Sequence, residues 1–485
     1  MGEVMAGIIL NQRLPVSAPQ TTGDDAASCV TICLVGDFSH TGNGFALHEL
    51  AADATIDDAL EEIAPRAQVE EASFPVQEIE DLDPESLLRH SPLIQRLADV
   101  ATRLRTPATA TAALAELGYE SSSGEAEAAA PTAESDPSKG SLLSRLLGET
   151  PEPLASEPEA PSSPTVDAFL RQLVKDHVVP DSPAVIQTAQ EVVRGLRNEA
   201  LDSLLHAPLF ADLERTWRSA DLLFDGIEGT DDCSVRFCLL DVTRSALADD
   251  LRTADGDSGQ LLRSLAALRS DIPGGQPLGA LVFLDSLDLA ETPVLRSLCA
   301  CTRALGTTTF IGLEPPLFAP TANPTYLEGT SELNERLAGL LAPLPEAGRP
   351  CGTGRLVTVP FRFLLRAPYG PTTDPVPGSD YQEVRCAEDV SHLPWACGAV
   401  PAALAYGMEW SRQERAPALP CAVDLDNLPF CTAPREQGTR MVPSGGFWLG
   451  GDAADVLLDQ GLTALLSRRD QPTVRVLLVE QRSRV

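Results

Sequence analysis

Lysine is almost missing from this sequence: only Lys139 and Lys175 occur in 485 residues. The glycine-containing stretch GDFSHTGNG (36–44) therefore has no lysine to reach a phosphate, and no GxxxxGK[ST] signature is present to make a P-loop. Bases are scarce overall, 36 Lys+Arg against 70 Asp+Glu for a formal net charge of −34. Nucleic acid is disfavoured as a partner, because phosphate binding needs clustered positive surface, and so is an anionic membrane surface. The eleven cysteines contain no CxxC pair and the six histidines are scattered, so zinc-ligand spacing is lacking and neither metal nor cofactor is expected. Cys29, Cys33, Cys238 and Cys299 lie in apolar runs, where a reduced thiol acts as a small hydrophobe. GxSxG and HExxH are also missing, no histidine sits in a recognisable nucleophile motif, and no catalytic residues are expected. Asp241, Asp285 and Asp288 lie near expected strand ends, where α/β folds often place chemistry, but read as solvated carboxylates at turns. No stretch approaches the ~20 apolar residues of a membrane span. Residues 1–20 carry one base, Arg13, and a short apolar run, Met5–Leu10, which makes a poor secretory signal. A cytoplasmic location is expected.

What is present is a globular composition, 43% hydrophobic, divided by one compositional break. Residues 120–164 turn to Ala, Ser, Pro and Glu with nine acids against two bases. Such a segment buries too little apolar area to offset its ordering entropy, so a disordered linker is predicted. Within it, the leucines of SLLSRLLG (141–148) fit a short transient helix. Before it, 1–119 reads as a small α/β or α+β unit: a strand over Cys29–Phe38, a helix over Ile56–Ile63, a strand around Phe74, Val76 and Ile79. A helix then opens with Asp83 as N-cap and Pro84 at its first position, running on through LLRHSPLIQRLADVATRL. After the linker, helices are predicted over Val166–Val174, Ala184–Leu196 and Glu199–Phe224. Strands over Ser234–Val242, Leu278–Leu287 and Thr307–Leu313 then alternate with helices over Ser245–Leu251 and Val294–Leu305. That alternation implies a largely parallel, doubly wound α/β sheet in 165–485.

The order of motifs carries a resemblance. CVTICLVGDFS (29–39), the helix near Ile56, and VEEASFPVQEIEDLDPESLLRHSPLIQRLADVATRL (69–104) resemble the small sheath protein of type VI secretion, TssB or VipA. HAPLFADLERTWRSADLLFDGI (206–227), FCLLDVTRSALADDL (237–251), PLGALVFLDSLDL (277–289), FIGLEPPLF (310–318), VPFRFLLRAPYGP (359–371), WACGAVPAALAYGM (395–408) and VDLDNLP (423–429) are similar, in order, to motifs of the large sheath protein, TssC or VipB. The structural or interface positions this implies are Asp37, Phe38, Pro84, Leu87, Phe210, Leu213, Glu214, Trp217, Arg218, Asp250, Phe361, Leu364, Leu365, Arg366, Pro368, Tyr369, Gly370 and Trp395. Departures are LAPLPEAGR (341–349) where the family has a Trp-x-x-Phe-Arg stretch, Cys397 in place of an asparagine, and no counterpart of the family's final motif. The large domain is accordingly expected to be C-terminally truncated relative to the family.

The resemblance implies a non-enzymatic subunit in which 1–119 and 165–485 dock as one protomer of a helical tube. An open, non-closing interface builds such a tube, and contraction is a rearrangement of interfaces that needs no subunit chemistry. The implied partners are other copies or other sheath subunits, an inner-tube protein, a baseplate, and a recycling AAA+ ATPase that could grip Thr165–Asp176. Neighbours in the family exchange terminal strands; Met5–Leu10 and Thr473–Val479 are the candidates, each equally able to pair within its own chain. A non-polymerising adaptor or cap is the alternative reading, since so acidic a surface repels its own copies. A hydrolase or nucleotide-binding protein rests on fold class alone.

Overall fold

The computed structural model describes residues 28–116, 183–313 and 355–480, apart from 43, 53, 71, 231–232, 254–258, 269–277, 289–291, 436–437 and 470, together with Tyr326, Leu327, Leu333 and Leu337. The predicted linker at 120–164, the runs Met5–Leu10 and Thr165–Asp176, the helices at 142–147 and 166–174 and the stretch 341–349 lie outside the described residues.

The first strand, β1 (Ser28–Gly36), is followed by β2 (Ala46–Glu49), α1 (Ile56–Ile63), the hairpin β3 (Arg66–Val69) and β4 (Ala72–Pro75), then α2 (Pro84–His90), α3 (Pro92–Arg105) and α4 (Pro107–Glu116). After 182 come α5 (Pro183–Leu205), α6 (Pro208–Gly226), β5 (Cys233–Asp241), α7 (Arg244–Thr253), α8 (Gln260–Ser264), β6 (Leu278–Leu287), α9 (Thr292–Leu305) and β7 (Thr308–Leu313). The remainder holds β8 (Tyr326–Leu327), β9 (Arg355–Val359), β10 (Arg362–Leu364), β11 (Trp395–Cys397), α10 (Ala399–Gln413) and β12 (Cys421–Leu425). It closes with β13 (Cys431–Pro434), β14 (Thr439–Val442), β15 (Trp448–Leu449), α11 (Gly451–Asp459), β16 (Ala464–Ser467) and β17 (Val474–Leu478).

The main sheet has six strands in the order β2-β5-β1-β6-β7-β9. All neighbours are parallel except the edge pair β2–β5, the doubly wound α/β arrangement that the strand–helix alternation implies. Its central feature is the position of β1. This strand pairs in register with β5 from Ser28↔Cys233 to Gly36↔Asp241, and on its other side with β6. The segments on either side of the predicted linker thus contribute to one sheet.

Alternation along the strands explains why both faces are covered. Val30, Ile32 and Leu34 of β1 point into one core, with Val235, Phe237 and Leu239 of β5 and the α6 and α10 side chains. Cys33 and Val35 point into a second core with Cys238, Leu240, Phe283 and the apolar faces of α7, α8 and α9. A strand buried on both faces must be apolar throughout, which is what CVTICLV supplies. The buried thiols Cys33, Cys238 and Cys299 behave as small core groups, as expected.

Two predicted helices are broken. The run from Pro84 splits at Ser91, because Pro92 removes a backbone donor and its ring disfavours helical geometry at the preceding residue; Ser91 Oγ instead accepts from the Ile94 amide and starts α3. The predicted Ala184–Leu196 and Glu199–Phe224 regroup around Pro208 as α5 and α6, for the same reason. β17, the described candidate for strand exchange, is the middle strand of a three-stranded antiparallel sheet, β12-β17-β16, in its own chain.

Candidate functional site

Helix α6 lies across the first core and carries ERTWRS (214–219) toward two turns. Its Trp217 is fully buried: the indole Nε1 donates to the Phe38 carbonyl at 3.0 Å and the Phe38 ring meets it edge-on, centroids 5.3 Å apart. Phe38 is held in turn by its amide, which donates 2.8 Å to Asp241 Oδ1, an oxygen that also receives the Ser39 amide at 3.2 Å. Asp241 is 6% exposed. The expectation of a solvated carboxylate is corrected here, because the turn after β1 needs a buried acceptor for two amides. Asp37 Oδ1 accepts the His40 amide at 3.0 Å, and burial pushes the Asp37 carboxyl up.

On either side of Trp217 along α6, Glu214 and Arg218 enter a buried ionic network. Arg366 Nε donates to Glu214 Oε1 at 2.7 Å, while its Nη1 and Nη2 donate to Glu383 Oε2 and Oε1 at 2.7 and 3.0 Å. Its guanidinium also sits 4.0 Å from the centroid of the Tyr369 ring. Arg218 Nε donates to the same Glu214 oxygen at 2.9 Å, and its Nη2 donates to Asp83 Oδ1 at 2.7 Å. Tyr369 OH donates to that Asp83 oxygen at 2.8 Å, and the Tyr369 amide donates to Glu383 Oε2 at 2.8 Å. Glu214, Glu383 and Tyr369 are all under 5% exposed. Burial disfavours the Glu383 carboxylate, but the Arg366 guanidinium outweighs it and lowers the group to about 2. Burial likewise disfavours the His206 imidazolium, and contact with Glu383 overcomes it and raises the pKa. Both ring nitrogens of His206 face acceptors, Asp202 O at 2.9 Å and Glu383 Oε1 at 3.2 Å; only the imidazolium donates to both.

The network joins three stretches far apart in sequence: the acidic turn before α2, helix α6, and the RAPYG loop. Asp83 occupies the N-cap position but makes no side-chain cap bond; its carboxylate is spent on Arg218 and Tyr369 instead. Pro84 takes the first helical position, as predicted, and Leu87 is buried. Phe210 and Leu213 bury the apolar face of α6, and Phe361 lies in the same core. Leu365 packs partly buried against it. The turn at Pro368 and Gly370 is closed by Thr373 Oγ1 donating to the Pro368 carbonyl at 2.6 Å and by the Gly370 amide donating to the Asp374 carbonyl at 2.8 Å.

Not every motif residue converges here. Leu364 and Trp395 belong to a satellite core with Val390, where Trp395 Nε1 donates to the Val390 carbonyl at 2.8 Å. Asp250 stands apart on α7, accepting the Gln260 and Leu261 amides at 2.7 and 3.0 Å at the start of α8. Glu383 and His206 were missed by sequence reasoning: Glu383 lies in a Pro- and Gly-rich stretch, 177 residues from its histidine partner, with no local pattern to single it out.

Residues 190–314 match the family model of the VipB tail sheath N-terminal domain (EvpB/VC_A0108). A search of curated proteins finds no match. The VipB match covers most of α5, all of α6, and the strands β5, β6 and β7, and supports a structural sheath role for this part of the chain. Glu214, Trp217, Arg218 and Asp250 fall within it. Asp37, Phe38, Asp83, Pro84, Leu87 and the RAPYG loop fall outside it, yet Phe38, Asp83, Arg366 and Tyr369 contact side chains of the VipB-like helix α6 directly. Among the described residues, no group of three or more His, Cys, Asp or Glu is placed to hold a metal, and no helix is long and apolar enough to cross a membrane.

Proposed function

We propose that this chain is a structural subunit of a type VI contractile sheath, in which a small-sheath-protein-like part (1–119) and a large-sheath-protein-like part (165–485) are fused and fold as one protomer. The observation that carries this reading is β1: a strand from the first part fills the slot between two strands of the VipB-like part. The ionic network acts in this reading as a joint, with Asp83 of the first part clamped by Arg218 and Tyr369 of the second. Of the remaining motif positions, Phe38, Phe210, Leu213, Trp217 and Phe361 serve as core anchors, while Leu364, Trp395 and Asp250 serve packing and turn roles away from that joint.

Protomers of this kind assemble with copies of themselves or with other sheath subunits into a cytoplasmic helical tube, around an inner-tube protein and on a baseplate. An AAA+ ATPase is the partner for recycling contracted tubes. No step in this role requires catalysis. Negative-stain electron microscopy of the purified chain, alone and with an inner-tube protein, tests the proposal. Hollow helical or ring-stacked tubes are the expected result; dispersed particles in both samples would sink it and favour a non-polymerising adaptor at sheath ends, the reading that the net charge of −34 motivates.

A further inference from the structure

Away from the ionic joint, a groove of about 390 Å³ lies where the end of α3 meets α5 and the turn at 378–380. Three arginines line it, Arg105 from α3 and Arg194 and Arg197 from α5, and they differ in how they are paired. Arg194 is neutralised: its Nε lies 3.3 Å from Asp380 Oδ2, and the other oxygen of that carboxylate accepts from Asn198 Nδ2 at 2.9 Å. Arg197 meets only a backbone acceptor, its Nη1 donating 3.1 Å to the Gly378 carbonyl. The Arg197 Nε is buried with no acceptor among the described residues. Arg105 is exposed, and among the described residues no carboxylate pairs with it. Glu191, the other acid of the lining, is exposed and pairs with none of the three.

The two arginines without a carboxylate face each other closely enough to interact. Burial first, and then Arg105, hold the Arg197 guanidinium below its ordinary range, and Asp380 offsets them only in part. Like charges facing one concavity repel, and both guanidinium groups keep N–H donors to spare. An anion placed between them turns that repulsion into two attractions, and guanidinium forks match phosphate and carboxylate oxygens two at a time. We propose that this groove binds a small free anion through one phosphate or carboxylate group held between Arg105 and Arg197. The volume falls within the range of small-molecule sites. The bound group bridges α3, which precedes residues 117–182, to α5, which follows them, and so ties the two parts together. The site is independent of the sheath reading, since it requires neither assembly nor a partner chain.

Isothermal titration and thermal unfolding of the full chain with inorganic phosphate, with succinate and with a hexaglutamate peptide, at one ionic strength set by sodium chloride, test this. Phosphate or succinate should bind saturably at one site and raise the thermal midpoint, as a ligand of the folded state alone does; their relative affinity assigns the group as phosphate or carboxylate. Arg105→Gln should weaken that binding by about tenfold, the loss of one charge-assisted contact. At low salt without added anion, the same variant should melt no lower than the parent, because it removes a repulsion and no pairing. A purely structural role for Arg105 predicts the opposite. Arg412→Gln, exposed on α10 and outside the groove, should leave binding unchanged. No saturable binding of either small anion, equal binding by Arg105→Gln, a lower midpoint of that variant without anion, or binding of the peptide alone would overturn the proposal.

Discussion

Arg366 is the residue on which the joint depends, since both buried glutamates, Glu214 and Glu383, point their oxygens at it. Arg366→Met keeps much of the side-chain volume but leaves two buried carboxylates short of a counter-charge. Breaking a buried pair from one side costs about 3–5 kcal/mol, so urea denaturation should show a loss of that order and no gain from added packing. His206 gives the network a pH dependence. Its pKa lies above the ordinary 6.5 in the fold, so its contribution is complete below pH 6.5 and lost as pH rises through the higher folded value. His206→Gln should therefore be less stable than the parent in mildly acidic buffer, with the gap closing toward alkaline pH. Glu383 works in the opposite sense: lowered to about 2, it contributes fully above its ordinary 4.5, and that contribution disappears as pH falls toward 2. Asp221, on α6, is raised to about 6, first by burial and then by Asp225 beside it. Between its ordinary 3.8 and about 6 the unfolded chain ionises before the folded one, so stability falls as pH rises through that window. Asp221→Asn should then raise stability near pH 7.5 by about 1 kcal/mol, the partial exposure of the group being allowed for, and make no difference near pH 3. An equal effect at both pH values would show that charge is not its cause.

At the scale of elements, the contact between α6 and α10 depends on small residues. A Cβ at Gly407 would overlap the Ile227 side chain just past the end of α6, and one at Gly226 would overlap Leu404. Gly407→Val should force the two helices apart, at about 1–3 kcal/mol for overpacking, visible as a lower thermal midpoint and as faster amide exchange along α10. How much of this level could be read in advance depended on where the determining contacts lie. β6 and α1 have the predicted limits and β1 nearly so, because an apolar run bounded by turns, or an amphipathic stretch with Thr55 as its cap, is a local signal. The breaks at Pro92 and Pro208 were equally local, yet strong apolar spacing on both sides hid them. Neither the pairing of β1 with β5 nor the role of Glu383 has a local signal. Strand partners 205 residues apart, as in Gly36↔Asp241 and Ser28↔Cys233, leave no periodicity in either segment. The motif residues that meet in the joint were legible as residue types, but the resemblance gave only their order and not the ion pairs they form.

For the whole molecule, the decisive question is whether the parts flanking 117–182 are held by the chain between them or by their own contacts. β1 forms a nine-residue register with β5 and pairs on its other edge with β6. Around it, Phe38 packs on Trp217, Asp83 binds Arg218, and α3 lies along α5, with Gln190 Nε2 donating to the Leu104 carbonyl at 3.1 Å. Removing β1 would leave two apolar strands with unpaired backbone groups facing each other in the middle of the sheet, and each unsatisfied buried group costs about 1–3 kcal/mol. On these contacts, the two parts are expected to stay together without the connection between them. A specific protease site inserted near residue 150 tests this directly. After cleavage the two fragments should co-elute as one particle in native size-exclusion chromatography and separate only in denaturant, with a thermal midpoint close to that of the intact chain. Fragments that part on cleavage in native buffer would show that β1 and the joint contribute too little to hold the protomer, and that the sheet depends on the covalent link.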